Sequence, residues 1–193
     1  SVKYAYSGNA DTWEIEIVDQ GDMLMCTPSI AIGPDGHPYL SYQGGKYNNL
    51  KYANHDGNSW NTNVVDSETG VGSYSSLGFD SDGNPHIGYY DSGNDDLKYA
   101  SWSSITYSWN TQTVVSDGEV GLLPSLALTP ADKPMISFLD TTNEVVAVAT
   151  SNFDPLADFT YTPQNPEVGE EIQFDASDST DLDGASKTDY WDF

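Results

Sequence analysis

The stretch PSIAIGPDGHPYLSY, residues 28–42, returns as SSLGFDSDGNPHIGY at residues 75–89 and as PSLALTPADKPMISF at residues 124–138. In each copy an apolar run leads into a turn, and a proline then opens a second apolar run. These prolines are 47 and 49 residues apart: Pro38, Pro85 and Pro134. Self-similarity at a fixed period of this length is typical of repeat architectures.

Two further markers keep the same period. The first is the tripeptide Lys-Tyr-Ala preceded by Val or Leu, at residues 2–5, 50–53 and 97–100, with a weaker fourth copy, Val-Val-Ala-Val, at residues 145–148. The second is a tryptophan that recurs after 47 and 49 residues, as Trp13, Trp60 and Trp109. Three markers with one period predict a tandem repeat of about 48 residues.

Each repeat predicts four short β-strands. The first two strands flank the turns Asp35-Gly36 and Asp82-Gly83, which predict hairpins because glycine tolerates the positive φ that such turns need. The Lys-Tyr-Ala segment forms the third strand, and the fourth follows the tryptophan. Apolar residues alternate with small or polar ones, and no stretch has the period of a long amphipathic helix. The sequence therefore predicts an all-β protein.

Four strands in about 48 residues is the size of a β-propeller blade. Residues 1–153 hold about three such periods and begin at the third strand of a blade. Closed propellers have about 4–8 blades. We therefore expect a partial ring, which is either part of a longer propeller or is completed by other copies of the chain. The recurrent tryptophans and tyrosines are expected to pack between blades.

The pattern changes in residues 154–193. This segment contains Phe-Thr-Tyr-Thr-Pro at 159–163, Val-Gly-Glu at 168–170, Phe-Asp-Ala-Ser-Asp-Ser-Thr-Asp-Leu-Asp-Gly at 174–184 and Trp-Asp-Phe at 191–193. It resembles the N-terminal half of a PKD domain, an immunoglobulin-like β-sandwich of secreted and cell-surface proteins. The resemblance implies a truncated, partial β-sandwich after the propeller repeats.

The propeller repeats themselves resemble those of large bacterial and archaeal surface proteins. Propeller repeats followed by a PKD domain imply an extracellular, cell-surface location. In the PKD-like loop, Asp178, Asp181 and Asp183 supply closely spaced oxygen ligands that suit calcium.

Charge excludes several classes of partner. Six lysines, no arginine and 30 acidic residues give a net charge of −24. Such a chain lacks the clustered cations that bind nucleic acid or an anionic membrane surface. Its apolar runs are too short for membrane insertion. The absence of arginine also excludes a sialidase site within these residues.

The sequence predicts no catalytic residue and no enzymatic activity. The three histidines have no metal-binding spacing, and we expect structural or surface roles for them: His37, His55 and His86. Cys26 is expected to be a buried or inert thiol; the alternatives are a disulfide between chains and a reactive site. One repeat position carries a lysine three times, as Lys3, Lys51 and Lys98. We expect these lysines to pair with a carboxylate at the end of the second strand, such as Asp91 or Asp140.

These observations predict a non-enzymatic structural or adhesion component of a cell surface, which presents a repeat-built binding face. Its partner would be a protein or glycan at the cell surface, or other copies of the chain. Two alternatives are a carbohydrate-binding propeller lectin module and the non-catalytic part of a secreted hydrolase. Tyr42, Tyr89 and Tyr90 are candidates for stacking on sugars if they do not pack between blades.

Overall fold

The computed structural model describes residues 1–9, 12–20, 27–151, 160–162 and 173–175, and every regular element in these ranges is a β-strand. The chain divides into two compact units, Ser1–Ala149 and Thr150–Phe193. The all-β prediction is confirmed. The predicted domain boundary between residues 153 and 154 stays a prediction.

The first unit contains four small sheets. Sheet I consists of β1 (Val2–Asn9) and β2 (Thr12–Asp19). Sheet II consists of β3 (Ser29–Ile32), β4 (Pro38–Gly44), β5 (Asn49–His55) and β6 (Trp60–Asp66). Sheet III consists of β7 (Val71–Phe79), β8 (Pro85–Asp91), β9 (Asp96–Ser103) and β10 (Ser108–Val115). Sheet IV consists of β11 (Leu122–Leu128), β12 (Pro134–Asp140) and β13 (Val145–Thr150).

Strands that follow one another in the chain are neighbours in every sheet. Sheets II and III contain the four predicted strands of one repeat in the predicted order. Sheet I contains the third and fourth strands, and sheet IV contains the first three. The second unit contributes one antiparallel pair, β14 (Thr160–Thr162) and β15 (Gln173–Asp175). Sheets I to IV do not close into a ring within the described residues, so the propeller stays a prediction.

The predicted hairpins share one hydrogen-bond pattern. The amide of the residue before the turn donates to the carbonyl four residues later, at Gly33 and His37 and again at Asp80 and Asn84. Gly36 and Gly83 take φ values of +80° and +83°, as the turn requires. In the third hairpin Asp132 takes the same conformation with φ +60°.

The hydrophobic core lies between neighbouring sheets. Each pair of sheets encloses its own cluster, and each cluster contains an aliphatic residue of a second strand: Leu40, Ile87 and Ile136. Two of the three repeated tryptophans, Trp60 and Trp109, pack at these junctions as expected, whereas Trp13 is exposed. Trp60 of sheet II meets Tyr4 of sheet I at 5.3 Å between ring centroids, and Trp109 of sheet III meets Tyr52 of sheet II at 5.2 Å.

A Val-Gly pair at the start of sheets III and IV completes two of these junctions. Val71 and Val120 are buried, at 0% and 1% exposure. Gly72 follows with φ +94°, and a Cβ atom there would lie 2.8 Å from the Cα of Leu50 on the preceding sheet. Gly121, with φ +90°, has the same relation to Leu97, at 2.5 Å. This contact was not predicted from the sequence, although the two pairs are one repeat apart.

Candidate functional site

The same three repeat positions meet at each junction between neighbouring sheets. Their side chains are polar at two junctions and apolar at the third. At the junction of sheets II and III, Asp66 ends β6 and accepts a hydrogen bond from the Tyr89 hydroxyl at 2.7 Å. The Lys98 ammonium lies 2.8 Å from the same carboxylate oxygen and 2.6 Å from a Glu68 oxygen. Asp66 and Lys98 are both buried. A buried charge pair of this kind is held by its hydrogen bonds as well as by charge.

The same arrangement recurs at the junction of sheets I and II. Asp19 ends β2, and one of its oxygens lies 2.6 Å from the Lys51 ammonium and 2.9 Å from the Tyr42 hydroxyl. The lysines thus reach across to the fourth strand of the preceding sheet. The prediction that they pair with Asp91 or Asp140 is wrong, because those carboxylates close the turns of their own sheets by accepting bonds from asparagines.

The junction of sheets III and IV has three apolar residues at these positions. Val115, Phe138 and Ala147 replace the aspartate, the tyrosine and the lysine, and all three join one apolar cluster. Asp95 and Glu144 both have a positive φ and mark the same point of the turn before the third strand. Lys98 and Ala147 each follow that point by three residues, so they are structurally equivalent. The fourth copy of the Lys-Tyr-Ala marker therefore lies at residues 146–149, one residue later than the predicted 145–148.

Hydrogen bonds control the ionisation of the buried pair. Burial alone would raise the pKa of Asp66, but the bonds from Lys98 and Tyr89 outweigh it and hold this pKa below its ordinary value. Burial would likewise lower the pKa of Lys98, but its bonds to Asp66 and Glu68 raise it. Both groups are therefore charged at neutral pH. Their role is to hold two sheets together.

A groove of about 470 Å³ opens between the third and fourth strands of sheets II and III. Four aromatic side chains line it: Tyr52, Trp102, Tyr107 and Trp109. The Trp102 and Trp109 rings meet edge to face at 5.6 Å. Tyr107, in the turn between β9 and β10, is 80% exposed. The volume lies in the range of about 300–1,000 Å³ that is usual for ligand pockets.

The polar residues of the groove are neutral. Asn54, Asn63 and Ser108 line it beside the aromatic rings, and no residue of the lining is charged. Amide and hydroxyl groups both donate and accept hydrogen bonds. In a chain with net charge −24, a groove without a carboxylate is a distinct environment. Its side chains suit binding, since a serine hydroxyl without a neighbouring base is a weak nucleophile.

The corresponding place between sheets I and II has a different set of side chains. Glu16 stands at the position of Asn63, and His55 at the position of Trp102. The Trp60 indole N–H donates to Glu16 at 3.1 Å, and His55 Nε2 lies 3.7 Å from the same oxygen. Trp60 and His55 also meet edge to face at 5.2 Å. At this junction the Trp60 indole N–H has an acceptor within the protein. Among the described residues, none accepts a hydrogen bond from the indole N–H of Trp109, the equivalent tryptophan of sheet III.

The predicted site residues fall into three groups. Tyr90 is half-buried, and its hydroxyl donates to the Asp95 carboxylate in the turn before β9. Asp178, Asp181 and Asp183, the calcium candidates, lie outside the described residues, as does Cys26. Tyr42 and Tyr89 are fully buried between sheets, which confirms packing for these two tyrosines. Within the described ranges, no three acidic, histidine or cysteine side chains cluster to hold a metal ion.

The groove was not predicted, because none of the repeat markers contains Asn63, Trp102 or Tyr107. The signal that could have revealed them is a departure from the repeat: Glu16 becomes Asn63 and His55 becomes Trp102 one period later. The part of the chain that the structure describes contains no helix with the length and apolarity that a membrane crossing needs. No model of a protein family matches the chain, and no curated protein matches it.

Proposed function

We propose that the chain is a non-enzymatic component of an extracellular cell surface, with a structural or adhesive role, in which stacked repeats present a binding face. The observation that carries this proposal is the groove between sheets II and III. Its lining of aromatic rings and neutral amides suits a ligand that is held by contact and hydrogen bonding. It offers no paired carboxylates, histidine or cysteine that would act on the ligand.

The sheets are proposed to be blades of a β-propeller. The two outermost faces of the stack support this reading. On sheet I, Trp13, Ile15 and Ile17 are exposed, although Trp60 and Trp109 pack against a neighbouring sheet at the same repeat position as Trp13. On sheet IV, Val146 and Val148 are exposed at the positions of the buried Leu97 and Tyr99. Faces of this composition are normally covered, which supports further sheets of the same kind at both ends.

The extracellular location is proposed from the resemblance of residues 154–193 to a PKD domain, and calcium at Asp178, Asp181 and Asp183 is part of the same proposal. Partners at the surface would be a protein, a glycan or other copies of the chain. Multivalent contact through repeated loops would add to the strength of a single groove.

A co-sedimentation assay with fragments of bacterial and archaeal cell envelopes tests the proposal. The purified chain is expected to bind in a saturable way, and a Tyr107→Ala variant is expected to bind less. The supernatant is assayed at the same time for released reducing sugars and amino termini. Catalytic release of either product would contradict the non-enzymatic role, and failure to sediment with any envelope would contradict the adhesive role.

A carbohydrate-binding lectin module is the second candidate function. The aromatic lining of the groove favours it, because tyrosine and tryptophan combine a flat apolar face with a polar group. A non-catalytic part of a secreted hydrolase would show the same binding without catalysis. A catalytic module elsewhere in the gene would identify that case.

A further inference from the structure

We propose that the groove between sheets II and III is a binding site for a neutral saccharide. The inference rests on the proposed function and names the ligand class of its binding face.

The lining matches the two surfaces of a pyranose ring. A pyranose presents flat patches of C–H groups, which pack on aromatic faces, and a rim of hydroxyls, which need both donors and acceptors. The indole rings of Trp102 and Trp109 and the exposed Tyr107 ring supply apolar faces. Asn54 and Asn63 supply amide groups beside them, and an amide both donates and accepts. A few polar groups within an aromatic pocket are the usual source of orientation and specificity.

The junction of sheets I and II shows what the same repeat looks like without a site. There the Glu16 carboxylate accepts the Trp60 indole N–H and lies beside His55, so the polar groups are matched within the protein. At the groove, Asn63 takes the place of Glu16 and Trp102 takes the place of His55. Among the described residues, none accepts a hydrogen bond from the indole N–H of Trp102 or Trp109. Two donors are thus left for a ligand.

Charge selects a neutral ligand over an acidic one. No lining residue is cationic, so a uronate or sialate carboxylate would find no partner in the groove. The chain around it has a net charge of −24, which repels anions. A neutral saccharide meets neither penalty.

The test is a titration followed by intrinsic tryptophan fluorescence. The probes are oligomers of glucose, galactose, mannose and N-acetylglucosamine, an oligogalacturonate of equal length, and a proline-rich peptide. At least one neutral oligomer is expected to cause a saturable change with a dissociation constant below about 1 mM. The oligogalacturonate is expected to bind at least about tenfold more weakly.

Two variants locate the site. Asn63→Glu places a carboxylate where Glu16 stands in the preceding junction, so that it accepts the Trp109 N–H and closes the groove; we expect binding to be lost while the melting temperature is retained. Tyr107→Ala removes an exposed aromatic face and is expected to weaken binding at least about fivefold, as the loss of a central aromatic contact does. Trp13→Ala is the matched control, since Trp13 is 73% exposed at the repeat position of Trp109 but lies outside the groove. It is expected to leave binding unchanged.

Several outcomes would overturn the inference. These are no saturable response to any neutral oligomer up to about 10 mM, equal binding of the oligogalacturonate, or preferential binding of the peptide. Retention of saccharide binding by both Asn63→Glu and Tyr107→Ala would also overturn it. If the chain binds cell envelopes and none of the saccharides, the proposed surface role stands and the ligand class assigned to the groove is wrong.

Discussion

We expect the buried Asp66 carboxylate to contribute strongly to the stability of the first unit. It holds Tyr89 and Lys98 of the neighbouring sheet, and Lys98 is only 5% exposed. Asp66→Asn leaves that ammonium with Glu68 alone, which is 63% exposed as a side chain. We expect the free energy of unfolding to fall by about 3 kcal/mol, because an uncompensated buried charge is costly. Urea denaturation followed by tryptophan fluorescence measures this loss.

The matched control is Asp19→Asn, which is expected to cost less because its partner Lys51 is 18% exposed as a side chain. The third junction suggests a further comparison, because it contains Val115, Phe138 and Ala147 at these positions. The triple variant Asp66→Val, Tyr89→Phe, Lys98→Ala should be more stable than Asp66→Asn alone, since it removes the three buried polar groups together. A triple variant that is less stable than the single one would show that the polar set is not exchangeable as a unit.

The same pair predicts how stability depends on pH. The pKa of Asp66 is lower in the folded chain than its ordinary value of 3.8, so its contribution is complete above that value and is lost as pH falls through the folded pKa. The pKa of Lys98 is raised above 10.5, so its contribution is complete below that value and is lost as pH rises through the folded pKa. The stability difference between the wild type and Asp66→Asn should be constant between about pH 5 and pH 9 and shrink in acid. Denaturation curves across pH check this, and a difference that grows in acid would contradict it.

At the scale of single residues, sequence reasoning identified which lysines are placed by the repeat but not their partners. Lys51 and Lys98 occupy the same position of the Lys-Tyr-Ala marker, which is visible in the sequence itself. Their partners, Asp19 and Asp66, lie about 30 residues earlier on another sheet. Only the packing of one sheet on the next determines that contact.

At the scale of strands and turns, Gly72 is the position where the absence of a side chain allows the backbones of sheets II and III to approach each other closely. A Cβ atom there would lie 2.8 Å from the Leu50 backbone, and its φ of +94° is strained for other residues. Gly72→Ala should therefore lower the free energy of unfolding by about 2–4 kcal/mol. Gly36→Ala is the control, because Gly36 has a similar φ of +80° with no atom within 4 Å of an added Cβ. Thermal or urea denaturation compares the two, and an equal loss in both would remove the close contact as the cause.

Strands and hairpins were predictable because their signals are local. Alternating apolar residues and the Asp-Gly turns specify β3, β4, β7 and β8 without reference to the rest of the chain. The Val-Gly pairs at the start of sheets III and IV contact the preceding sheet, so no local pattern shows their role. The fourth Lys-Tyr-Ala copy was misplaced by one residue because valine and alanine alone do not define a register.

At the scale of the whole molecule, the repeat explains both the stack and the site. Three junctions use one design, with a polar set at two of them and an apolar set at the third. The groove arises where that design changes, at Asn63 and Trp102. A period of about 48 residues was enough to predict the sheets. Prediction of the groove would have required the knowledge that residues of two consecutive repeats face each other.

The most direct test of this account is a two-dimensional nitrogen–proton spectrum of the tryptophan indole groups, recorded while a neutral oligosaccharide is added. Trp102 and Trp109 line the groove, whereas the indole N–H of Trp60 is bonded to Glu16 and Trp13 is exposed on sheet I. We predict that the signals of Trp102 and Trp109 shift in a saturable way and that those of Trp13 and Trp60 stay in place. Saturable shifts confined to Trp13 or Trp60, or no shift with any neutral oligosaccharide, would contradict the account.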